Sequence, residues 1–532
     1  MAVGACRTTA RTNEPGDRPV GLAAKFASNV CLLIALSFGT WATVCAEPVI
    51  SATGGSHGVG LRTIQQYDRA RVFRPAVDPV TGDAVAGERA RPLQTLIWYP
   101  ANEGGQRLRY ADYVATRLTE TRFDLAPSER TALEARQMAA LSRRLGDEAQ
   151  GLLNSPMLAS RDAPPTAGKF PVVIYAAGAG GTADENADLF EYLASHGYIV
   201  ISSTSLGAHG KAIAYEMEDA EPQISDIRFL LGYAQSLPEA DMANVAVLGW
   251  SWGGMSNVFA AARDDRISAV ISLDGTREPA FTRSIQPRLL TAPWLYFSRA
   301  PETIPQLNRS EIDTSFSLLN EARFGDVFQL TMHPMRHVDF ISMQQRETRA
   351  SAYGEYSKEE TREAYDMVAV YIRRFLDAYL KNDLAGRAFL TNTPRENGAP
   401  LHSISAVTHL AEKGPPSQAG LAEELSEHGF GQAVQAYQAA VARDATFTLS
   451  DQELKAWGYG LLESGRPQDA GAIFELWTIL YPTDWDAFDS LGEAYDAAGN
   501  PALAIENYRR SLELNPRNRN ATDRLKAMAP RR

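Results

Sequence analysis

Cysteine is scarce in this sequence: there are three in 532 residues, and all of them lie within the first 46. The rest of the chain therefore cannot form a disulfide, a thiolate zinc site or a cysteine nucleophile. Covalent catalysis in that part of the chain must use another side chain. The three cysteines are Cys6, Cys31 and Cys45.

Positive charge is also in deficit. The chain has 52 Lys and Arg against 64 Asp and Glu, a formal net charge of −12, and no basic cluster of the kind that binds phosphate backbones. Nucleic acid is therefore not an expected partner. The 45% apolar and 22% charged residues are typical of a globular protein. The length allows about two or three domains.

Residues 1–46 have the pattern of an export signal. The apolar core "NVCLLIALSFGTWATVCA" ends in the small-residue cleavage pattern Val44–Ala46, so the mature chain is expected to begin near Glu47. We expect a periplasmic or secreted protein with a bacterial-type signal and no stable transmembrane anchor. The alternatives are an uncleaved membrane anchor and a translation start at Val20. The basic residues before the core are Arg7, Arg11, Arg18 and Lys25.

Residues 47–385 are predicted to form one α/β domain. Residues 59–100 read as two strands joined by a turn, and from Phe170 onward apolar runs such as "PVVIYAA" alternate with helical segments. Such runs are typical of strands buried on both faces, so the pattern predicts a mostly parallel sheet with helices on both sides. Residues 110–165 are interpreted as a helical insertion that contributes to a cap over the pocket.

A 34-residue period indicates a second, all-α domain at residues 417–532, after a linker at 386–416 that contains Pro and Gly. Its small and aromatic positions resemble the tetratricopeptide repeat. The resemblance implies either a protein partner for the repeats or docking of the repeats on the rest of the chain. The recurring positions are Gly458, Gly465, Ala470, Phe474 and Pro482, which return as Gly492, Gly499, Ala504, Tyr508 and Pro516.

Ser251 is the candidate nucleophile. It lies in "GWSWG", a G-x-S-x-G motif at residues 249–253, between the apolar strand "NVAVLG" and the helix "WGGMSNVFAAARD". A strand, a sharp turn and a helix in this order are typical of an exposed, strained catalytic serine. A side chain at Gly249 or Gly253 would collide with the neighbouring strand or helix. The helix N-terminus favours negative charge that develops beside the serine.

A serine nucleophile needs a general base and an acid that orients the base. His337, in "MRHVDF" after the last predicted strand, is the preferred base, and His333 is the alternative. Asp274 ends the strand that follows the motif and is the preferred acid, with Glu302 as the alternative. No metal site is expected at the two histidines, because Pro334 excludes a helix between them and no acidic partner matches them.

An oxyanion is stabilised by two backbone N–H groups. We expect one from Trp252, which follows the serine, and the other from the glycine-rich turn at residues 177–181. Trp250 and Trp252 flank the serine, which suggests a pocket for a short acyl group; alternatively, they only pack the turn. His209 follows a strand on the side where ligands bind and is a further candidate pocket residue.

Together these residues resemble the platelet-activating-factor acetylhydrolase and dienelactone-hydrolase-like branch of the α/β-hydrolases. The resemblance covers residues 59–385 and rests on "RPLQTLIWYPA", "FPVVIYAAGAGG…YLASHGYIV", "GWSWGG…SLDG" and "MRHVDF". It implies Asp274 as the acid, His337 as the base and Ala179 as the second amide donor. The chain departs from the family at Ala177, where a histidine is usual. Dienelactone hydrolases use a cysteine nucleophile, so lactone specificity is not carried over.

The sequence therefore predicts an exported carboxylic-ester hydrolase that uses a Ser-His-Asp triad and an acyl-enzyme, without a cofactor or metal. A small-molecule or lipid-like ester is the expected substrate. One alternative is a polyester-degrading enzyme or a peptidase on the same triad. A tryptophan before the nucleophile also occurs in some bacterial polyester hydrolases. Another alternative is an inactive hydrolase scaffold whose repeats bind a protein partner.

Overall fold

The computed structural model describes residues 48–210, 213, 217–275, 282–300, 317–411 and 414–529. These residues belong to one unit of the chain, Cys45–Arg532. The predicted export signal at 1–46 and the alternative acid Glu302 lie outside the described ranges. Within those ranges, no helix combines the length and the apolar character that a membrane crossing requires.

One large sheet organises the first part of the described chain. Its strands are β1 (Gly58–Val72), β2 (Ala90–Ala101), β3 (Gln106–Arg109), β4 (Pro156–Arg161), β5 (Phe170–Ala176), β6 (Ile199–Ser203), β7 (Ala240–Trp250), β8 (Ala269–Leu273), β9 (Trp294–Arg299), β10 (Val327–Met332) and β11 (Ile404–His409). Their spatial order is β11-β10-β9-β8-β7-β5-β6-β2-β1-β4-β3. The six strands from β10 to β6 in that order are mutually parallel, as predicted.

The strand order reverses beside β5. The chain passes from β5 to β6 on one side and then returns to β7 on the other side. In sheets of this kind, ligands bind where the order reverses, outside the carboxyl ends of the strands. Ala176 at the end of β5 pairs with Gly249 near the end of β7, so the two loops that follow these strands start side by side. The topology therefore places residues 177–181 next to Ser251.

Helices cover both faces of the sheet. The described helices around it are α1 (Tyr110–Thr116), α2 (Pro127–Leu145), α3 (Glu148–Leu153), α4 (Ala187–Ser195), α5 (Met217–Ala234), α6 (Trp252–Ala261), α7 (Leu318–Glu321), α8 (Ser342–Arg346), α9 (Lys358–Leu380) and α10 (Leu384–Thr391). Val173 and Tyr175 of β5 pack in the core under α4 and α9, whereas Val172 and Ile174 pack in the core under α5 and α6. The alternation explains why β5 is apolar throughout.

The predicted insertion at residues 110–165 is helical only in part. It contains α1, α2 and α3, but it ends in β4, which pairs with β1 and β3 at the edge of the sheet. The start of the insertion is anchored, because Arg117 forms ion pairs with the buried carboxylates of Asp184, 2.7 Å, and Glu347, 2.9 Å. The prediction that this segment caps the pocket stays a prediction.

The interpretation of residues 386–416 as a linker is wrong for residues 386–391 and 404–409. α10 extends to Thr391, and residues 404–409 form β11, which pairs antiparallel with the whole of β10. All but the first of the β11 residues are exposed, so the apolar alternation that reveals a half-buried strand is absent.

The C-terminal helices pair in sequence order, as the 34-residue period predicts. They are α11 (Gln418–His428), α12 (Ala433–Arg443), α13 (Asp451–Glu463), α14 (Pro467–Leu480), α15 (Trp485–Ala497), α16 (Pro501–Leu514) and α17 (Arg519–Met528). A β-carbon on Gly458 would lie 2.2 Å from the Phe474 ring, and one on Gly492 would lie 2.8 Å from the Tyr508 ring. In two successive repeats, a glycine therefore makes room for the aromatic ring of the next helix.

Candidate active site

Ser251 occupies a sharp turn between β7 and α6. Its backbone is in the left-handed region, with φ 54° and ψ −119°, and its side chain is partly exposed. A strained non-glycine residue of this kind requires close support from the surrounding backbone. A β-carbon on Gly253 would lie 2.0 Å from the Ala176 carbonyl oxygen, and one on Gly249 would lie 2.5 Å from the Gly253 carbonyl carbon. Both glycines of the motif are therefore required by the backbone.

A third glycine, which the sequence reasoning did not single out, supports the same turn. A β-carbon on Gly275 would lie only 2.4 Å from the carbonyl oxygen of Ser251. The Ser251 N–H donates to the Leu273 carbonyl of β8 at 2.9 Å, which ties the turn to the neighbouring strand. Gly275 is the residue after Asp274. The two residues that follow β8 therefore supply the candidate acid and leave room for the turn at Ser251.

The structure brings Ser251, His337 and Asp274 into one hydrogen-bonded line. His337 Nε2 lies 2.8 Å from Ser251 Oγ, and His337 Nδ1 lies 2.6 Å from Asp274 Oδ2. With the carboxylate accepting from Nδ1–H, Nε2 is free to accept the serine proton. The Asp274 side chain is fully buried, whereas the His337 side chain is 34% exposed. The acid is thus shielded while the base faces the space beside the serine.

Arg299, at the end of β9, is a second partner of Asp274. Its backbone N–H donates to Asp274 Oδ1 at 3.1 Å, and its Nη1 donates to Oδ2 at 2.8 Å. The guanidinium and the His337 imidazole therefore share one carboxylate oxygen. Sequence reasoning missed Arg299. The available signal was its position at the carboxyl end of the strand next to β8.

Trp250 contacts the candidate base and does not act merely as a wall of an acyl pocket. Its indole N–H donates to the His337 carbonyl at 2.8 Å, and the two rings lie 5.0 Å apart at 35°. The indole also covers Gly178, where a β-carbon would lie 2.2 Å from the ring. Trp250 thus holds both the backbone and the ring of His337.

Hydrogen bonds fix most of the peptide groups in the turn at residues 177–181. Gln223 donates to the Ala177 carbonyl at 2.7 Å, and the Gly178 N–H donates to Glu185 at 2.9 Å. The Gly181 N–H closes the turn onto the Gly178 carbonyl at 2.8 Å. Within the described part of the chain, the Ala179 N–H has no hydrogen-bond acceptor. Trp252 is the first residue of α6, where N–H groups lie beyond the reach of intrahelical carbonyls.

The other predicted histidines lie elsewhere. His333 Nε2 lies 2.8 Å from Ser405 Oγ, on the pair formed by β10 and β11, and no hydrogen bond joins it to Ser251 in the described ranges. His209 is exposed in the short turn Ala208–Gly210, with φ 53°. No contact between described residues joins His209 to the serine, so its place in a pocket stays a prediction.

Three buried glutamates have a raised pKa, and we call Glu120, Glu185 and Glu191 the buried glutamates. Burial raises the pKa of Glu120 and Glu185 to about 8 and that of Glu191 to about 7. Neighbouring carboxylates, among them Asp184, add to the shift, while hydrogen bonds from backbone amides oppose it. Of the three, Glu185 contacts the turn at 177–181 directly.

A cavity of about 600 Å³ lies beside His337 and Arg299. It is bounded by the loop before His337 and by residues 352–356, and Ser251 is not among its lining residues. It therefore adjoins the base, and its lining does not include the nucleophile. Among the described residues, no group of three His, Cys, Asp or Glu side chains is arranged to hold a metal ion.

Comparison with known proteins gives matches to two families. Residues 147–299 match the family model described as Chlorophyllase, and residues 485–518 match the one described as Tetratricopeptide repeat. The first match includes Ser251 and Asp274 but ends before His337, and it covers less than half of the chain. No curated protein matches the sequence.

Among solved structures, a ferulic acid esterase from Streptomyces cinnamoneus is similar, at 18% sequence identity and a TM-score of 0.48. The likeness covers 67% of this chain and 98% of that one. The chlorophyllase-family match and the parallel sheet confirm the α/β-hydrolase resemblance, and the match at 485–518 confirms the tetratricopeptide resemblance.

Proposed function

We propose that this protein is a serine esterase that cleaves carboxylic esters, with Ser251 as nucleophile, His337 as general base and Asp274 as the acid that orients the base. The observation that carries the proposal is the unbroken line of hydrogen bonds from Ser251 Oγ to the buried Asp274 carboxylate. This line ends at a strained turn at the start of a helix, where negative charge that develops on a substrate is favoured.

The proposed reaction has two halves. Ser251 Oγ attacks the ester carbonyl carbon while its proton passes to His337 Nε2, and the carbonyl oxygen becomes an oxyanion. The amides of Trp252 and Ala179 stabilise that oxyanion. The carbon–oxygen bond to the alcohol then breaks, and the alcohol takes the proton from His337. Water, deprotonated by His337, attacks the acyl-enzyme, and the carboxylic acid leaves as Ser251 recovers its proton.

We further propose a short acyl group and an exported protein. Trp250 and Trp252 flank the nucleophile, and Trp252 is almost fully buried, so large side chains crowd the backbone on both sides of Ser251. The export proposal is supported by the apolar core and the basic residues of segment 1–46. The repeats are proposed to bind a protein partner.

The first test is labelling by a fluorophosphonate probe, which reacts with activated serines. We expect the wild type to be labelled and Ser251→Ala and His337→Ala not to be labelled. Ser236→Ala is the matched control, because Ser236 is an exposed serine whose hydroxyl donates to the Tyr233 carbonyl. A folded wild type that is not labelled would refute the esterase proposal and favour the scaffold alternative.

A substrate series then tests the acyl preference. With p-nitrophenyl esters of rising chain length, kcat/KM is expected to peak at acetate or butyrate. A peak at long chains would contradict the short acyl pocket. Polyester films and peptide substrates, assayed in parallel, separate the two alternative activities on the same triad.

A further inference from the structure

The carboxyl group of Glu185 fills the inside of the turn at residues 177–181. Its Oε1 accepts the Gly178 N–H at 2.9 Å and the Tyr175 hydroxyl at 2.7 Å. Its Oε2 is buried and has no hydrogen-bond partner among the described residues. A β-carbon on Gly181 would lie 2.0 Å from that oxygen, so the carboxyl group reaches the far side of the turn. Glu185 itself is 0% exposed.

The remaining contacts of the turn come from other elements. Gln223 of α5 holds the Ala177 carbonyl and is itself held by the Ser256 hydroxyl of α6 at 2.8 Å. The Ser205 N–H donates to the Gly181 carbonyl at 3.0 Å. Glu185 and Gln223 thus hold the two sides of the Ala177–Gly178 peptide, and the Gly181 N–H holds the Gly178 carbonyl of the next peptide, whose N–H belongs to Ala179. Glu185 therefore fixes the peptide that precedes the one carrying the Ala179 N–H.

We propose that Glu185 is a positioning residue for the oxyanion hole: through the Gly178 N–H it fixes the turn so that the Ala179 N–H faces the oxyanion. This inference rests on the proposed function of Ser251. Glu185 does not touch the substrate and acts through the peptide that it binds.

The charge state of Glu185 follows from its surroundings. The pKa of Glu185 is raised to about 8: burial is the largest cause and Asp184 and Glu120 add to it, whereas the bonds from Tyr175 and Gly178 oppose it. The carboxyl group is thus neutral at pH 7 and becomes an anion above pH 8. An anion at this turn would disfavour negative charge on the oxyanion, so kcat is expected to fall as pH rises past 8. Tyr365 on α9 also interacts electrostatically with Glu185, and Arg117 pairs with the neighbouring Asp184.

The decisive experiment is the pH profile of kcat/KM between pH 6 and 10 with p-nitrophenyl acetate. Wild type is expected to lose activity above pH 8, and Glu185→Gln, which is neutral at every pH, is expected to keep its activity there. Glu191→Gln is the matched control. Glu191 is also buried, with its pKa raised to about 7, but it binds Tyr113 and the amides of Leu158 and Ala159 and not the turn.

Two further variants separate positioning from folding. Glu185→Ala leaves the Gly178 N–H without its acceptor, and we expect kcat to fall about tenfold or more with KM nearly unchanged. Complete loss of one oxyanion donor costs on the order of 100- to 1,000-fold in kcat. Tyr175→Phe removes the hydroxyl that favours the Glu185 anion, so the alkaline loss should move to higher pH. This variant keeps the test decisive if the Glu185 variants do not fold.

The outcomes distinguish this inference from the esterase proposal. If wild type hydrolyses the ester but Glu185→Gln retains the alkaline loss, the positioning role is wrong and the esterase proposal stands. The same conclusion follows if Glu191→Gln changes the profile as Glu185→Gln does. If folded wild type neither hydrolyses esters nor reacts with the fluorophosphonate, both proposals fail together.

Discussion

Trp250→Phe is the change that tests how the catalytic histidine is held. Phenylalanine keeps an aromatic ring against the His337 imidazole, 5.0 Å away in the wild type, but it removes the indole N–H that donates to the His337 carbonyl at 2.8 Å. The net contribution of such a hydrogen bond is about 0.5–1.5 kcal/mol. At about 1.4 kcal/mol per factor of ten, the expected loss in kcat is about two- to tenfold.

The loss should appear in kcat, because His337 transfers protons in the chemical steps and is not proposed to bind the substrate. Steady-state hydrolysis of p-nitrophenyl acetate at saturating substrate measures this directly. Trp294→Phe is the matched control: Trp294 is buried in β9 and donates to Ser272 Oγ at 3.1 Å, without contact to His337. It loses one indole hydrogen bond of the same kind.

The reasoning would be refuted by a Trp250→Phe enzyme whose kcat equals that of wild type. It would also be refuted if Trp294→Phe lowered kcat to the same extent, because the effect would then reflect general stability. Thermal unfolding of both variants separates these cases. A rise in KM alone would instead indicate that Trp250 lines the substrate pocket.

Three further predictions concern the support of the site. Gly275→Ala places a methyl group 2.4 Å from the Ser251 carbonyl oxygen, so we expect about 1–3 kcal/mol of destabilisation in urea unfolding and loss of fluorophosphonate labelling. Gly232→Ala, at an open position of α5, should show neither effect. Arg299→Ala removes a side-chain donor to Asp274, and kcat should fall about tenfold with partial rescue in Arg299→Lys; an unchanged kcat would exclude a positioning role. In the folded state the buried glutamates keep their protons up to a pH of about 7 to 8. In the unfolded chain the same glutamates lose their protons above the ordinary glutamate pKa near 4.5. The free energy of unfolding should therefore fall as pH rises from about 4.5 to 8, and a flat or rising curve in denaturant titrations would contradict this.

The parts of the fold that sequence reasoning predicted are those with a strong local signal. β5 is apolar throughout because both of its faces are buried, and G-x-S-x-G leaves little choice of backbone at Ser251. The order of the strands then placed Asp274 and His337 at the same edge of the sheet. The fit of Gly458 to Phe474 follows from the 34-residue period in the same way.

The parts that were missed depend on contacts between distant segments. β11 is almost entirely exposed, and only its pairing with β10 identifies it as a strand. The bond from Trp250 to His337 spans 87 residues, and that from Arg299 to Asp274 spans 25. Neither pair has a spacing or a residue pattern that marks it, because the fold alone brings the two ends together.

The position of β11 changes how the polypeptide can be divided. A hydrolase fragment cut at residue 385, where composition alone suggests a boundary, would lack β11 and leave one edge of β10 unpaired along its full length, while the other edge stays paired with β9. An open edge of that kind recruits other chains and leads to aggregation. The catalytic half therefore includes residues up to His409, and residues 410–417 alone connect it to α11. Anyone who grafts or deletes the repeats has to treat that last strand as part of the enzyme.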